Sequence, residues 1–190
     1  MSMTSKRAFK KLSEAMVSRR SVRVLRSIEG ADVLDGFVVA VGSDWVLLLR
    51  ENGQNSVDGR SALRVADISL VTKLPKKGTP PVIERIMTAN DEWPPAAPSY
   101  CDMYNLESVI ATAQAISPIF AIHREVKRPG SLWIGALRSI DQRHLEYYAL
   151  NPAAEWDEMD RVRIASITRI DFGTEYVSNL AKVMPPVPTD

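Results

Sequence analysis

Apolar residues recur along the chain with two distinct spacings. Over Ser5 to Ser18, Phe9, Leu12 and Met16 fall at i, i+3 and i+7, one face of a helix, with Lys6, Arg7, Lys10 and Lys11 mostly on the other faces. Leu106, Val109, Ile110, Ala113 and Ile116 repeat that spacing behind an N-capping residue, Asn105, and Pro118 ends the helix just beyond Ser117. Between and after these helices the pattern is that of short strands. Val22 to Ile28, Val33 to Val41, Trp45 to Arg50, Ser61 to Val65 and Ile68 to Leu74 form a first set. Ile119 to Val126, Leu132 to Ile140, His144 to Leu150, Arg161 to Ala165 and Ile167 to Phe172 form a second. Glu51 to Gly59 and Asn151 to Asp160 are predicted loops, and Tyr176, Leu180 and Val183 predict a short terminal helix.

The two sets are one pattern used twice. At an offset of 99 residues Gly36 falls on Gly135, Val38 on Leu137, Val46 on Leu145, Arg64 on Arg163, Ala66 on Ala165, Ile68 on Ile167 and Val71 on Ile170, without a gap. The same shift lays the first helix on the second. Five short strands, the second bent at an interior glycine, can close on themselves and remove exposed edges. The expected fold is therefore mainly β with short helices: two tandem five-stranded small barrels, each preceded by a helix. The divisions are residues 1–74, a connector over 75–103, and a second unit with a C-terminal extension over 104–184. Six of the chain's twelve prolines fall between Pro75 and Tyr100, which predicts an extended connector with a short helix or strand at Val82 to Met87.

Composition narrows the functional classes. With 45% hydrophobic and 25% charged residues the chain is an ordinary core-forming protein. Its net charge of +1 gives no overall field to recruit nucleic acid or an anionic membrane. Cys101 is the only cysteine, so neither an internal disulfide nor a cysteine zinc site can form, and a reducing cytoplasm is the expected compartment. No apolar run approaches the length of a signal or a membrane span, and no membrane partner is expected. The near-neutral sum hides one polarised segment. Lys6, Arg7, Lys10, Lys11, Arg19, Arg20, Arg23 and Arg26 stand against Glu14 alone, a patch able to contact phosphates.

The helix, the glycine-bent second strand, the loop after the third strand and the closing Arg-apolar-x-x-Ile segment resemble the Sm and Sm-like family. That family's first motif places an apolar residue two positions after its glycine, Asp at +6 and Met-Asn at +9 and +10. Gly135, Leu137, Ile140 and Asp141 follow it, but His144-Leu145 replaces Met-Asn. In the first unit Gly42 replaces the Asp and Trp45-Val46 the Met-Asn. Arg64-Val65 and Arg163-Ile164 keep the arginine of the second motif and lose its glycine, and the Lys-His of bacterial Sm-like RNA chaperones is absent. Other small barrels of the SH3 or PRC type share the plan. The resemblance implies RNA as a ligand, with Trp45 and His144 stacking bases while Arg64 and Arg163 contact phosphate or base edges. It also implies assembly, because such barrels join the fourth strand of one to the fifth of the next, between chains or within one.

Catalytic chemistry is not expected. Phosphate-cradling glycine loops, nucleophile elbows and HExxH are absent. His123 and His144 fall on unrelated strands, and Cys101 has no cysteine partner. Glu155, Asp157, Glu158 and Asp160 lack the ligand spacing of a calcium loop and read as a solvated loop. No cofactor and no metal is expected. The sequence reading is a non-enzymatic module that binds RNA through Lys6, Arg7, Lys10, Lys11, Arg19, Arg20 and the barrel loops, or an oligomeric protein scaffold without a nucleic-acid ligand.

Overall fold

The computed structural model describes residues 3–75 and 81–189. Pro80, one of the connector prolines counted above, lies outside them. Helix α1, Met3–Ser18, leads into β1 (Ser21–Arg26), β2 (Leu34–Val41), β3 (Trp45–Glu51) and β4 (Val57–Arg64). A 3-10 turn at Val65–Asp67 then enters β5 (Ile68–Lys73). The connector holds α2 (Val82–Ala89). The plan then repeats as α3 (Leu106–Gln114), β6 (Phe120–His123), β7 (Leu132–Ile140), β8 (His144–Leu150), β9 (Trp156–Arg163), a 3-10 turn at Ile164–Ser166, and β10 (Arg169–Phe172). Helix α4, Glu175–Val183, closes the chain, its first turn capped by the Thr174 hydroxyl accepting from the Val177 N–H.

The repeat is carried into the backbone. Register breaks fall between Val38 and Ala40 and between Leu137 and Ser139, and again between Leu49 and Glu51 and between Tyr148 and Leu150, each pair 99 residues apart. Gly36 and Gly135 both run so close to the third strand of their unit that a Cβ would collide with a backbone carbonyl oxygen, of Leu49 in one and Tyr148 in the other. Upstream, the shift changes by one residue. Val22 lies opposite Gly36 and Phe120 opposite Gly135, and the buried helix positions Ala8, Leu12 and Ala15 answer to Leu106, Ile110 and Ala113, so the offset there is 98. The extra residue of the second unit sits in the turn before β7.

Two separate closed barrels do not form. All ten strands belong to one open antiparallel sheet, in the order β5-β1-β2-β3-β4-β10-β6-β7-β8-β9. Each unit keeps its own five-strand order, with its fifth strand paired to its first. The fourth strand of unit one does not close on its own fifth strand, because β10 of unit two takes that edge. Leu63 pairs with Arg169, Ala62 with Ile170, Ser61 with Asp171 and Arg60 with Phe172.

Three hydrophobic clusters stabilise this arrangement. Helix α1 buries Ala8, Leu12 and Ala15 on Val22, Val46, Leu48 and Val71 of unit one. Helix α4 covers Ala121, Ile134 and Leu150 of unit two with Val177 and Leu180. The largest cluster joins α3 and the interior of unit two to Phe37, Trp45, Leu47 and Ala62 of unit one, with Met87 and Met103 of the connector inside it. The connector is thus more than an extended spacer. Trp93 meets the Phe37 ring edge-on at 5.8 Å between centroids, α2 contributes Met87, and Gly42 leaves room for the Met103 backbone. The acidic cluster also differs from its reading as a loop: Asp157, Glu158 and Asp160 lie on β9, an outer strand of the sheet, where exposed charge discourages unplanned strand addition.

Candidate functional site

The joint between β4 and β10 holds the densest polar chemistry among the described residues. Asp171, buried in the middle of β10, takes the Ser61 hydroxyl at 2.6 Å and the Arg169 guanidinium at 2.7 Å. Arg50 of β3 and the His123 ring each reach it at 3.1 Å. A second buried carboxylate, Glu125, accepts from Arg26 Nη2 at 2.6 Å and from the Thr168 hydroxyl at 2.6 Å. Arg169 Nη1 lies 3.6 Å from Glu125 Oε1 and so links the two centres, and it also donates to Asp32 at 2.9 Å.

Burial opposes ionisation of Asp171, yet the Arg169 guanidinium, followed by His123 and Arg50, outweighs it and holds the carboxyl far below the usual range. Glu125 follows the same balance, with burial overcome by Arg26, Thr168 and Arg169. Arg169 is kept charged in turn by Asp171 against its own burial. These groups pair chiefly with one another. They form a lock between the units.

The expected RNA-contact residues are placed as follows. Trp45 is 3% exposed and packs in the large cluster, its backbone N–H bonded to Met103 O, so it offers no ring face for a base. Arg64 lies across it at 5.5 Å and donates to the carbonyls of Ile164 and Ala165 in the other unit. The reason is the connector, which covers the Trp45 side of the strand. His144 and Arg163, the matching cross-strand pair of unit two, are half-buried and exposed respectively, and His144 Nδ1 faces Arg161 at 3.1 Å. In the basic segment Lys6, Arg7, Lys10 and Arg19 are exposed. Lys11 donates to Val71 O at 3.0 Å and Arg20 to Leu74 O at 2.8 Å, both fastening unit one to itself. The sequence reading thus gathers no single RNA surface: Trp45 and Arg64 are taken up internally, Lys6, Arg7 and Lys10 are exposed on α1 with Arg19 just beyond it, and Arg163 is exposed on β9.

No protein-family model, curated protein or solved structure matches the chain. Its own geometry therefore carries the functional argument. Of the residues that matter most, Arg50, Ser61, Glu125, Arg169 and Asp171 were absent from the sequence candidates, while Arg26, counted in the phosphate-contacting patch, is instead buried against Glu125. A signal for two of them was present: Arg169 and Asp171 interrupt an apolar strand at positions where the first unit has Leu70 and Thr72. Among the described residues no group of three metal-ligating side chains occurs, and no helix is long and apolar enough to cross a membrane.

Proposed function

We propose that the chain is a non-catalytic scaffold of two five-stranded units, each with an Sm-like strand order, joined in one open sheet, and that it assembles by adding strands at the sheet edges. One observation carries this reading. The joint inside the molecule pairs a fourth strand with a fifth, and its unmatched counterparts, β9 and β5, are the two outer strands of the same sheet. A joint between unlike edges is heterologous: repeated from copy to copy it builds a ring where the rotation closes and an open filament where it does not. Main-chain pairing supplies the affinity, and the side chains on each edge select the partner.

Sedimentation velocity over a concentration series tests the proposal. The expected result is a species larger than one chain whose population rises with concentration. A folded monomer at every concentration would overturn it. Anisotropy with short U-rich and A-rich RNA across a salt series separates the other class. Binding at low salt that disappears in the Lys6→Glu, Lys10→Glu variant would transfer the function to RNA recognition.

A further inference from the structure

Unit one is open where unit two is packed. In unit two Ile119, Ala121, Ile134, Leu150 and Ala154 form a buried apolar wall that α4 covers with Val177 and Leu180. The repeat carries these five positions onto Ser21, Arg23, Asp35, Glu51 and Asn55, at the offset of 98 ahead of the second strand and 99 from it onward. The backbones correspond closely. Arg23 lies opposite Asp35 as Ala121 lies opposite Ile134, and Asn55 and Ala154 share a left-handed conformation, at φ of 59° and 60°. Every one of the five apolar side chains is thus replaced by a polar or charged one. In place of the packed cluster stands an open cavity of about 510 Å³, lined by these residues, Arg20 and the first turn of α2.

Folding does not require the exchange, since unit two fills the same backbone frame with apolar side chains. Its cost is visible in the wall of the cavity, where Arg20 Nε, Ser21 Oγ and Glu51 Oε1 are buried without a hydrogen bond. Arg23 and Asp35 satisfy each other through two bonds of 2.8 and 2.7 Å. The unspent chemistry is therefore that of Arg20, Ser21 and Glu51. Arg20 and Ser21 are consecutive, and the Ser21 hydroxyl lies beside the Glu51 carboxyl, drawing its pKa down against the burial that pushes it up. A cation, a hydroxyl and a carboxylate meet on one wall.

We propose that this cavity binds a free α-amino acid with an apolar side chain, its ammonium on Glu51, its carboxylate on Arg20 and Ser21, and its side chain against Leu74, Val82 and Ile83. The signs of the lining select the class. A simple anion would meet the Glu51 and Asp35 carboxylates, and a simple cation would meet Arg20 and Arg23. A ligand that bears both charges a few bonds apart satisfies both sides with charge-assisted hydrogen bonds. The volume lies within the roughly 300 to 1,000 Å³ of small-molecule sites, which combine a largely apolar lining with a few convergent polar groups. Unit two, with its apolar wall covered by α4, offers no second site of this kind.

Calorimetric titration of the full chain with L-leucine, L-methionine and L-phenylalanine tests the site. At least one is expected to bind, and its N-acetyl and amide derivatives, each lacking one of the two charges, to bind about tenfold or more weakly. Glu51→Gln keeps the shape of the wall and removes its negative charge, and is expected to weaken the amino acid by a similar factor. Ser21→Ile with Glu51→Leu copies unit two and is expected to abolish binding in a chain that circular dichroism shows to be folded. The derivative series needs no variant, so it decides the matter even where the double variant misfolds. Absence of binding by all three amino acids, derivatives that bind as tightly as the parent, or an unchanged affinity in Glu51→Gln would each overturn the assignment.

Discussion

Asp171→Ala is expected to remove about 3 to 5 kcal/mol of stability, because it strips a buried guanidinium, Arg169, of its main counter-charge and leaves Arg50, His123 and Ser61 without their common acceptor. Against the roughly 5 to 15 kcal/mol that typical domains possess, this is a large share. Urea denaturation followed by circular dichroism would show it as a lower midpoint. Ser61→Ala removes a single bond from the same carboxylate and should cost only about 1 kcal/mol. Equal losses in the two variants would show that the ionic part of the lock contributes little. The same carboxyl fixes the acid response. Its folded pKa is held below the unfolded value of about 3.9, so the unfolded chain binds more protons in acid. The contribution is complete above about pH 5 and is lost as the pH falls toward the folded pKa, with Glu125 acting in the same direction. Asp171→Ala should therefore flatten the fall of stability between about pH 5 and pH 3; an unchanged slope would assign the acid response elsewhere.

Gly36→Ala and Gly135→Ala should each cost about 3 kcal/mol or more, since the new methyl meets a backbone carbonyl that can retreat only by opening the bend between second and third strands. The two sites share the carbonyl clash and Gly135 adds a contact with the Tyr147 ring, so the loss at Gly135 should be at least as large as that at Gly36. Thermal unfolding of the two variants checks this. A mild effect at one site alone would mean that its unit tolerates a straighter second strand.

Much of the fold was legible because it is local. Helical spacing, turn residues and strand alternation placed α1, α3, α4 and nearly every strand, and the offset of 99 anticipated the paired glycines at 36 and 135, while the paired bulges, which keep the same offset, were found only in the structure. What escaped was non-local. The bond between Ser61 and Asp171 joins residues 110 apart, and no periodicity within either unit distinguishes an edge that closes on itself from one that meets its neighbour. Trp45 illustrates the cost. Its position in the repeat matches that of His144, but a connector outside the repeat covers it, and burial follows from the cover rather than from the motif. Departures from the repeat were the readable clue. Where duplicated strands carry apolar or neutral residues in one copy and charge in the other, as Leu70 and Thr72 against Arg169 and Asp171, the charged copy marks the lock.

The reach of that lock has a consequence for synthesis. Strand β4 ends at Arg64, and its partner begins at Arg169, roughly a hundred residues later. At about 5 to 20 residues per second, unit one leaves the ribosome with an unsatisfied strand edge for several seconds or more. During that interval the growing chain carries a hydroxyl-bearing β4 open to any strand that passes, and the late arrival of Asp171 ends its vulnerability.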